Sequence, residues 1–258
     1  MTSRIALVTG AGSGIGRAAA LGLVDAGWTV GVVGRRQEQL EETRKLAGAA
    51  RERVLPLAGD VGNPVEVGRI FSGLEEAFGR LDLLFNNAGI GAPPVPLEDL
   101  TYEQWQAVVD VNLTGVFLGM RASVKAMREA GGGSMINISS IEGLGGTAMT
   151  HGYTAAKFGV RGITKSAAWE LGQWGIRVNS VHPGLIRTPM IAGVPEDIFQ
   201  TALGRAADPV EVSNLVVYLA SDESSYSTGS EFVVDGGTVA GLAHKDFGTL
   251  DAGDWQAQ

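Results

Sequence analysis

The sequence contains no cysteine among its 258 residues. Disulfide bonds, thiolate metal sites and thiol nucleophiles are therefore excluded. Histidine is also scarce, with three copies, and no group of histidines and carboxylates has the spacing of metal ligands, so we expect no metal site. Positive charge is in the minority, with a formal net charge of −8 at pH 7. Because nucleic-acid-binding surfaces are basic, we expect no nucleic-acid partner.

Long hydrophobic runs are absent as well. No uninterrupted apolar run approaches the roughly 18 residues of a membrane span, and residues 1–4 lead directly into a strand-like segment without the pattern of a signal peptide. These absences predict a cytoplasmic protein with no membrane partner.

Glycine, by contrast, is abundant, with 38 copies against only 9 prolines. This excess indicates tight turns and places where the backbone approaches a ligand. The length allows one large α/β domain with a well-buried core. No repeat or composition shift divides the chain, so we expect one domain over residues 1–258.

The first glycine-rich stretch follows a short apolar run at 5–8, which is typical of a strand buried on both faces. The stretch reads TGAGSGIG at 9–16 and leads into an alanine-rich helical segment. Strand, glycine loop and helix in this order predict a dinucleotide phosphate site at the helix N-terminus. The predicted binding residues are Gly10, Ser13, Gly14, Ile15 and Gly16.

The second predicted strand, 28–33, ends at Gly34 and is followed by Arg35 and Arg36. In a dinucleotide fold an acidic residue at this point would bind the ribose 2′-hydroxyl of NAD. The two arginines instead suit a 2′-phosphate, although they also read as the solvated basic start of a helix over 37–49. We therefore favour NADP as the cofactor, with NAD as the alternative.

Two further strand ends add candidate cofactor contacts. Asp60 and Val61 follow the strand predicted at 53–58, where Asp60 either accepts a hydrogen bond from an adenine amino group or caps the helix after Pro64. Asn87, Ala88 and Gly89 follow the strand predicted at 81–85. They suit packing near a cofactor ribose, or an ordinary turn.

The candidate chemistry centres on Tyr153 and Lys157, which lie four residues apart and so share one face of a predicted helix over 153–174. An ammonium group beside a phenol is expected to lower the phenol pKa from about 10. Such a phenol exchanges a proton with a carbonyl or alcohol oxygen. A Ser140 hydroxyl at the preceding strand end would bond the same oxygen. Asn112, on the inward face of a helix predicted over 101–129, is either a structural bridge or part of a proton relay.

Three other residues lie near these positions in the sequence: Glu142, His151 and His182. Glu142 is expected to be a solvated loop carboxylate, with substrate orientation as the alternative. His151 and His182 are within reach of the predicted pocket, but loop histidines are more commonly structural. The irregular segment 186–207 is long enough to be a substrate lid, and residues 238–258 are predicted to form a tail.

Strands alternating with helices predict a parallel sheet covered on both faces. The motifs TGAGSGIG at 9–16, NNAG at 86–89, Asn112, Ser140, YxxxK at 153–157 and PG at 183–184 resemble the short-chain dehydrogenase/reductase family in order and spacing. The resemblance covers essentially the whole chain. It implies an α/β fold with a single Rossmann-type, doubly wound domain and a seven-stranded parallel sheet. It also implies hydride transfer between a nicotinamide cofactor and an alcohol or ketone, and a homotetramer.

The resemblance assigns roles to the candidate residues. Tyr153 is the acid/base, Lys157 lowers its pKa and holds the nicotinamide ribose, Ser140 polarises the carbonyl, and Asn112 holds a water that links Lys157 to solvent. Ser140 rather than its neighbour Ser139 stands thirteen residues before Tyr153, which is the family spacing. The implied cofactor set also includes Pro183, Gly184, Ile186 and Thr188, where Thr188 and the Ile186 backbone bind the carboxamide.

A narrower likeness appears from about residue 110 onward. The segments INISSIEGLGG, HGYTAAKFGVRG, RVNSVHPGLIRTPM and GSEFVVDGGTVAGLAH resemble bacterial 3α(or 20β)-hydroxysteroid dehydrogenases, whereas residues 1–100 resemble a more generic member. The GRR stretch at 34–36 departs from the acidic residue of the NAD-using steroid enzymes. One alternative function is a 3-oxoacyl-thioester reductase with a basic patch for the acyl carrier. Another is a non-catalytic NADP-binding regulator, which would have lost catalytic residues, and none is missing.

Overall fold

The computed structural model describes residues 4–91, 94–196, 198 and 200–241, so most of the predicted tail at 238–258 lies outside the described residues. The strands are β1 (Ile5–Thr9), β2 (Thr29–Gly34), β3 (Val54–Ala58), β4 (Leu83–Asn86), β5 (Gly133–Ile138), β6 (Ile176–Pro183) and β7 (Glu231–Val234). The α-helices are α1 (Gly14–Asp25), α2 (Gln37–Leu46), α3 (Pro64–Phe78), α4 (Tyr102–Val109), α5 (Gly115–Glu129), α6 (His151–Leu171) and α7 (Pro209–Ala220).

The seven strands form one sheet in the order β3-β2-β1-β4-β5-β6-β7, and every neighbouring pair is parallel. The predicted Rossmann-type, doubly wound sheet is therefore confirmed. The direction of winding reverses between β1 and β4, which pair through Val8 and Phe85. In open α/β sheets this reversal leaves a crevice at the carboxyl ends of the strands, where ligands bind.

Both faces of the sheet are covered by helices. Successive side chains of a strand point to opposite faces, and β1 shows the result: Val8 packs into one apolar cluster with α1 and α7, whereas Leu7 packs into another with α3, α5 and α6. All five residues of β1 are buried. Strands buried on both faces have continuous apolar runs in their sequence, which is why the apolar run at 5–8 predicts β1.

Side-chain caps fix the starts of two helices. Thr101 accepts a hydrogen bond from the Gln104 backbone N–H at 3.2 Å and forms the N-terminal cap of α4. Asn63 caps α3, accepting from the backbone N–H of Val65 at 3.0 Å. The capping alternative for Asp60 is therefore wrong. Two predicted helices also differ in their boundaries: α2 ends at Leu46 and is followed by a 3₁₀ turn that begins at Gly48, and α6 spans His151–Leu171 rather than 153–174.

The single helix predicted over 101–129 is interrupted. A π-helical turn, Asp110–Thr114, joins α4 to α5, and the Gly115 N–H donates to the Asp110 carbonyl five residues earlier. Asn112 lies in this turn and is fully buried. The stretch Tyr102–Glu129 is long and apolar enough to cross a bilayer by composition, but close to half of its most apolar window is buried inside the fold, and core helices pass the same test.

Candidate functional site

A cleft of about 410 Å³ opens at the carboxyl ends of the strands. Every predicted site residue except Gly16 lines this cleft. They are Gly10, Ser13, Gly14, Ile15, Arg35, Arg36, Asp60, Val61, Asn87, Ala88, Gly89, Asn112, Ser140, Tyr153, Lys157, Pro183, Gly184, Ile186 and Thr188. Residues as far apart in the chain as Gly10 and Thr188 thus meet at one surface, because the strands are parallel and their carboxyl ends share one edge.

The glycine loop presents bare backbone to the cleft. Gly10 and Gly14 have φ angles of +67° and +53°, a conformation that favours glycine. A Cβ atom at Gly10 would lie 2.8 Å from the Asn87 side-chain nitrogen. Gly16 has a different role from the predicted one: it is buried, and a Cβ there would lie 2.3 Å from the Gly10 carbonyl oxygen. It permits α1 to pack closely on the loop rather than lining the cleft.

Thr9 joins the two strands at the point of reversal. Its hydroxyl accepts hydrogen bonds from the backbone N–H groups of Asn87 at 2.9 Å and Ala88 at 3.0 Å. The side-chain nitrogen of Asn87 in turn donates to the Thr9 backbone carbonyl at 2.9 Å. The loop after β4 is therefore fixed against the end of β1.

Arg35 and Arg36 are exposed on the cleft at the end of β2. Within the described ranges neither forms an ion pair, whereas nearby Arg17 pairs with Glu42 at 3.0 Å. Asp60 stands on the same cleft, and its carboxylate accepts from the Gly62 N–H at 2.9 Å. This end of the cleft thus carries two cationic groups that no described acidic side chain neutralises.

Lys157 is buried, with 2% of its surface exposed. Its ammonium group donates to the Ile138 carbonyl at 2.9 Å and lies 5.3 Å from the centre of the Tyr153 ring. The Ser139 hydroxyl donates to the Lys157 carbonyl at 2.9 Å. Both serines line the cleft, but the Ser139 hydroxyl is bonded to the α6 backbone.

Burial sets the protonation of this pair. It raises the pKa of Tyr153 to about 12; the negative charge of Glu142 adds to the increase, and a hydrogen bond with Ser140 opposes it. Burial also lowers the pKa of Lys157 to about 8, against the attraction of Glu142. The predicted lowering of the Tyr153 pKa is wrong for the protein alone, because burying the phenolate outweighs the nearby cation. At neutral pH the site therefore holds a protonated phenol, which is the form that donates to a carbonyl oxygen.

Ser140 is held by its backbone and its hydroxyl oxygen. Its carbonyl accepts from the Gly143 N–H at 2.9 Å and lies 3.0 Å from His182 Nδ1. Its Oγ accepts from the Glu142 N–H at 3.1 Å. Since that oxygen is already an acceptor, the hydroxyl proton remains for donation into the cleft.

Glu142 is half-buried and lines the cleft, so the expectation of a solvated loop carboxylate is wrong. Its carboxylate accepts from the Thr150 hydroxyl at 2.6 Å and the Thr154 hydroxyl at 3.2 Å. Both threonines lie within one helical turn of Tyr153. They hold a negative charge near the phenol and the ammonium group.

Asn112 bridges the π-helical turn to the loop after β4. Its side chain accepts from the Ile90 N–H at 3.1 Å and donates to the Ile90 carbonyl at 2.9 Å. A Cβ at Gly89 would lie 2.6 Å from its oxygen. The structural-bridge interpretation is therefore confirmed, and the proton relay stays a prediction.

Neither of the two candidate histidines lines the cleft. His182 is fully buried between the Ser140 carbonyl and the Ser180 hydroxyl. His151 lines a second cavity of about 200 Å³ with Trp105 and Val108 of α4. The structural interpretation thus accounts for His182.

The first residues of the segment predicted as a lid, including Ile186, Thr188 and Met190, line the cleft. The start of this segment packs on the glycine loop, since a Cβ at Gly14 would lie 3.0 Å from the Thr188 methyl group. Arg187 forms ion pairs with Glu196 and, at 3.1 Å, with Asp208. A backbone bridge between Ile186 and Ala207 joins the two ends of the segment.

Several cleft residues escape the motif-based prediction. They include Gly12, Gln39, Leu40, Ile90, Val111, Leu185, Met190 and Ile191. Gly12 lies inside the TGAGSGIG stretch, and that position alone was a usable signal. The apolar members have no distinguishing sequence mark, because only the fold shows which apolar side chains reach the cleft.

A sequence model of the short-chain dehydrogenases and reductases, described as enoyl-(acyl carrier protein) reductase, matches residues 10–239. The 3-alpha-(or 20-beta)-hydroxysteroid dehydrogenase of Mycobacterium tuberculosis is 58% identical over 253 residues, which cover 97% of this chain and 95% of that relative. The chain belongs to the short-chain dehydrogenase/reductase family. The likeness to the mycobacterial relative extends over nearly the whole chain and is wider than the C-terminal segments that first indicate it.

Two other relatives agree with this family assignment. The NADP-dependent (R)-specific alcohol dehydrogenase of Lentilactobacillus kefiri is 40% identical over 249 residues, covering 93% of this chain and 98% of that one. The crystal structure of levodione reductase superposes with a TM-score of 0.90 at 36% identity, covering 94% of this chain and 100% of that one. The chain is thus an oxidoreductase of this family that acts on hydroxyl and ketone groups with a nicotinamide cofactor.

Proposed function

We propose that the protein interconverts bulky apolar ketones and their secondary alcohols with NADP(H), and that hydroxysteroids are among its substrates. The observation that carries the proposal is the shared cleft. It brings Ser140, Tyr153 and Lys157 together at one end, and Arg35 and Arg36 at another. One extended ligand would therefore span the cleft from the two arginines, which suit a phosphate, to the phenol of Tyr153, which donates a proton.

The residues present suit a dinucleotide. The bare backbone of the glycine loop at the N-terminus of α1 suits the pyrophosphate. Arg35 and Arg36 suit a 2′-phosphate, and Asp60 an adenine amino group. The name of the NADP-dependent relative supports NADP over NAD. Lys157 would hold the nicotinamide ribose, and Thr188 with the Ile186 backbone would hold the carboxamide. When bound, the nicotinamide supplies or accepts the hydride.

The chain's own residues handle the proton. Tyr153, protonated at neutral pH, donates to the carbonyl oxygen of the substrate during reduction and accepts from the alcohol during oxidation. The Ser140 hydroxyl polarises the same oxygen. The Lys157 ammonium group stabilises the phenolate that forms. Asn112 would hold the water through which Lys157 exchanges protons with solvent.

The steroid assignment rests on the mycobacterial relative's printed activity together with apolar cleft residues such as Ile90, Met190 and Ile191. The acyl-thioester alternative has less support. Arg187 and Arg205, exposed along segment 186–207, are each paired with glutamate or aspartate. The basic patch expected for an acyl carrier would need unpaired cations there.

The test is a panel of steroid and simple aryl ketones, each assayed with NADPH and with NADH. Steroid reduction with NADPH supports both parts of the proposal. Steroid reduction with NADH alone would keep the substrate class and overturn the cofactor assignment. Turnover of simple ketones without steroid turnover would contradict the steroid assignment.

We also propose a cytoplasmic homotetramer of single-domain subunits over residues 1–258, in which 186–207 closes over the substrate and 238–258 is a tail. Large apolar side chains that stand exposed on two long helices support the assembly: Phe117 on α5, and Phe158 and Trp169 on α6. The edge strand β7 exposes Val233, which supports a second interface.

A further inference from the structure

His182 lies in β6, at the carboxyl end of the sheet, and has no exposed surface. Its Nδ1 lies 3.0 Å from the Ser140 carbonyl oxygen, and its Nε2 lies 2.9 Å from the Ser180 hydroxyl. A carbonyl oxygen only accepts, so Nδ1 carries the proton and Nε2 of the neutral ring accepts from Ser180. The imidazole therefore links β6 to the residue that presents its hydroxyl to the cleft.

This link lies just beyond the point where the pairing of β5 with β6 ends. The last backbone hydrogen bond between β5 and β6 runs from the Ser139 N–H to the Val181 carbonyl at 2.8 Å. One residue further on, the Ser140 carbonyl is bonded by its own loop, through the Gly143 N–H at 2.9 Å, and by His182. The side chain of His182 thus extends the strand pairing by one residue, up to the candidate catalytic serine.

We propose that His182 is a positioning residue for the reaction: its Nδ1–H anchors the Ser140 backbone and thereby aims the Ser140 hydroxyl at the oxygen that Tyr153 protonates. The inference rests on the proposed function, in which Ser140 polarises the substrate. It assigns to a buried histidine outside the cleft an effect on turnover rather than on binding.

The surroundings of His182 keep the ring in the neutral form that this role needs. Burial lowers the pKa of His182 below its ordinary value, and the positive charges of Arg161 and Lys157 act in the same direction. The hydrogen bond to Ser140 and the charge of Glu231 oppose them. The neutral ring, with its proton on Nδ1, is therefore the form present at neutral pH.

The test compares His182→Leu, which removes the donor, with His182→Asn, whose side-chain N–H lies close to the position of Nδ1. We expect kcat for ketone reduction to fall about tenfold in His182→Leu, because a small displacement of a polarising group is costly in rate. The KM for the ketone and the Kd for NADPH should stay near wild type, and His182→Asn should recover most of kcat. If His182 were purely structural, its replacement would lower the melting temperature. It would not lower kcat at unchanged KM and Kd, and His182→Asn would not restore kcat.

A double-mutant cycle identifies the route of the effect. In a Ser140→Ala background, measured by single turnover at high enzyme concentration, His182→Leu should cause no further loss. A second tenfold loss there would overturn the inference. Ser134→Ala is the matched control, because this buried serine at the other end of β5 donates to the Leu219 carbonyl at 2.8 Å; it should lower stability and leave kcat unchanged.

If His182→Leu does not fold, His182→Gln replaces it, since its amide lies nearer the position of Nε2 than of Nδ1. A kcat lower in His182→Gln than in His182→Asn supports the inference, and equal kcat values overturn it. A wild-type protein that reduces none of the ketones would overturn the proposed function and this inference with it. If the wild-type protein is active and the His182 variants have the same kcat as wild type, only the inference about His182 is overturned.

Discussion

The Lys157 ammonium group lies 5.3 Å from the centre of the Tyr153 ring, and its hydrogen bond goes to the Ile138 carbonyl. The cation therefore faces the aromatic ring while a backbone oxygen orients it. Both groups are protonated at neutral pH, since burial raises one pKa to about 12 and lowers the other to about 8. The protein folds with a protonated phenol and a buried cation side by side at the cleft, and several measurable properties depend on that arrangement.

Tyr153→Phe removes only the proton donor. We expect kcat to fall by about 10³-fold or more, within the range for loss of acid–base catalysis combined with electrostatic stabilisation. The Kd for NADPH, measured by fluorescence titration, should change less than about threefold, since the ring and its packing remain. Tyr102→Phe, which removes an exposed phenol on α4, is the control and should behave as wild type. Substantial residual turnover in Tyr153→Phe would refute the assignment.

Glu142→Gln tests the electrostatics of the phenol. The Glu142 charge helps to raise the Tyr153 pKa, so its removal should lower that pKa. Alcohol oxidation needs the phenolate, and its kcat/KM should therefore begin to rise at a pH lower by about half a unit or more. Glu103→Gln, at an exposed position in the first turn of α4, should leave the profile in place. An oxidation profile unmoved by Glu142→Gln would show that this charge does not reach the phenol.

Lys157→Met should abolish activity and yet stabilise the fold at pH 7. The lowering of the Lys157 pKa from 10.5 to about 8 means that the buried charge destabilises the wild-type fold by roughly 3 kcal/mol at pH 7. Losing the hydrogen bond to the Ile138 carbonyl destabilises the variant by about 1 kcal/mol. We therefore expect the free energy of unfolding of the variant to be higher by about 2 kcal/mol. Denaturant titration measures the free energy of unfolding. Lys125→Met, at an exposed lysine that pairs with Glu129 at 3.9 Å, is the control and should change little.

The advantage of Lys157→Met should shrink as the pH rises. Between about 8 and 10.5 the folded wild-type protein binds fewer protons at Lys157 than the unfolded chain does, so the stability contributed by this group increases with pH across that window. Titrations at pH 7, below this window, and at pH 9.5, inside it, measure the difference. An advantage that is constant with pH would mean that the stability difference does not come from the buried charge.

Arg35→Ala and Arg36→Ala test the cofactor preference. Each should weaken NADP binding by about tenfold, as expected for a lost charge-assisted bond to a phosphate, and NAD binding by less than about twofold. Arg53→Ala, at a half-buried arginine just before β3 that does not line the cleft, is the control. Equal losses of affinity for both cofactors would remove the 2′-phosphate argument.

The assembly is tested by light scattering. We expect a mass four times that of the chain, and a smaller species for Trp169→Glu, because this residue is 91% exposed on α6 and a buried charge there would oppose association. Val65→Glu is the matched control: Val65 is 81% exposed but lies on α3, which carries none of the proposed interface residues, and its variant should remain tetrameric. A monomeric wild-type mass would contradict the assembly.

Much of the fold and most of the cleft follow from local sequence, for a physical reason. The glycine loop, the NNAG turn and the Pro183-Gly184 pair each mark the end of a strand, and parallel strands bring those ends to one edge. What local sequence does not reveal is the dielectric environment. The Tyr153 pKa depends on burial by elements far along the chain, and the position of Glu142 depends on Thr150 and Thr154, which a loop pattern does not predict.

The sequence does not predict the role of Gly16 or the break between α4 and α5, for a related reason. A glycine that lines a ligand and one that permits close packing have the same residue type, and only the fold shows that a Cβ at Gly16 would collide with the Gly10 carbonyl oxygen. The π-helical turn leaves the apolar pattern of 101–129 nearly unchanged, because one extra residue shifts the phase of a helix without ending it.

That turn makes the count of residues, and not only their identity, a requirement of the active site. Each helical residue rotates the chain by about 100°, so deleting one residue between Thr101 and Gly115 would turn the Asn112 amide away from Ile90 and change the packing of Gly115 on Val61. Chimeras that exchange this helix with a relative's should therefore retain a formed cleft only when the exchanged segments have equal length across the turn, however similar their residues are.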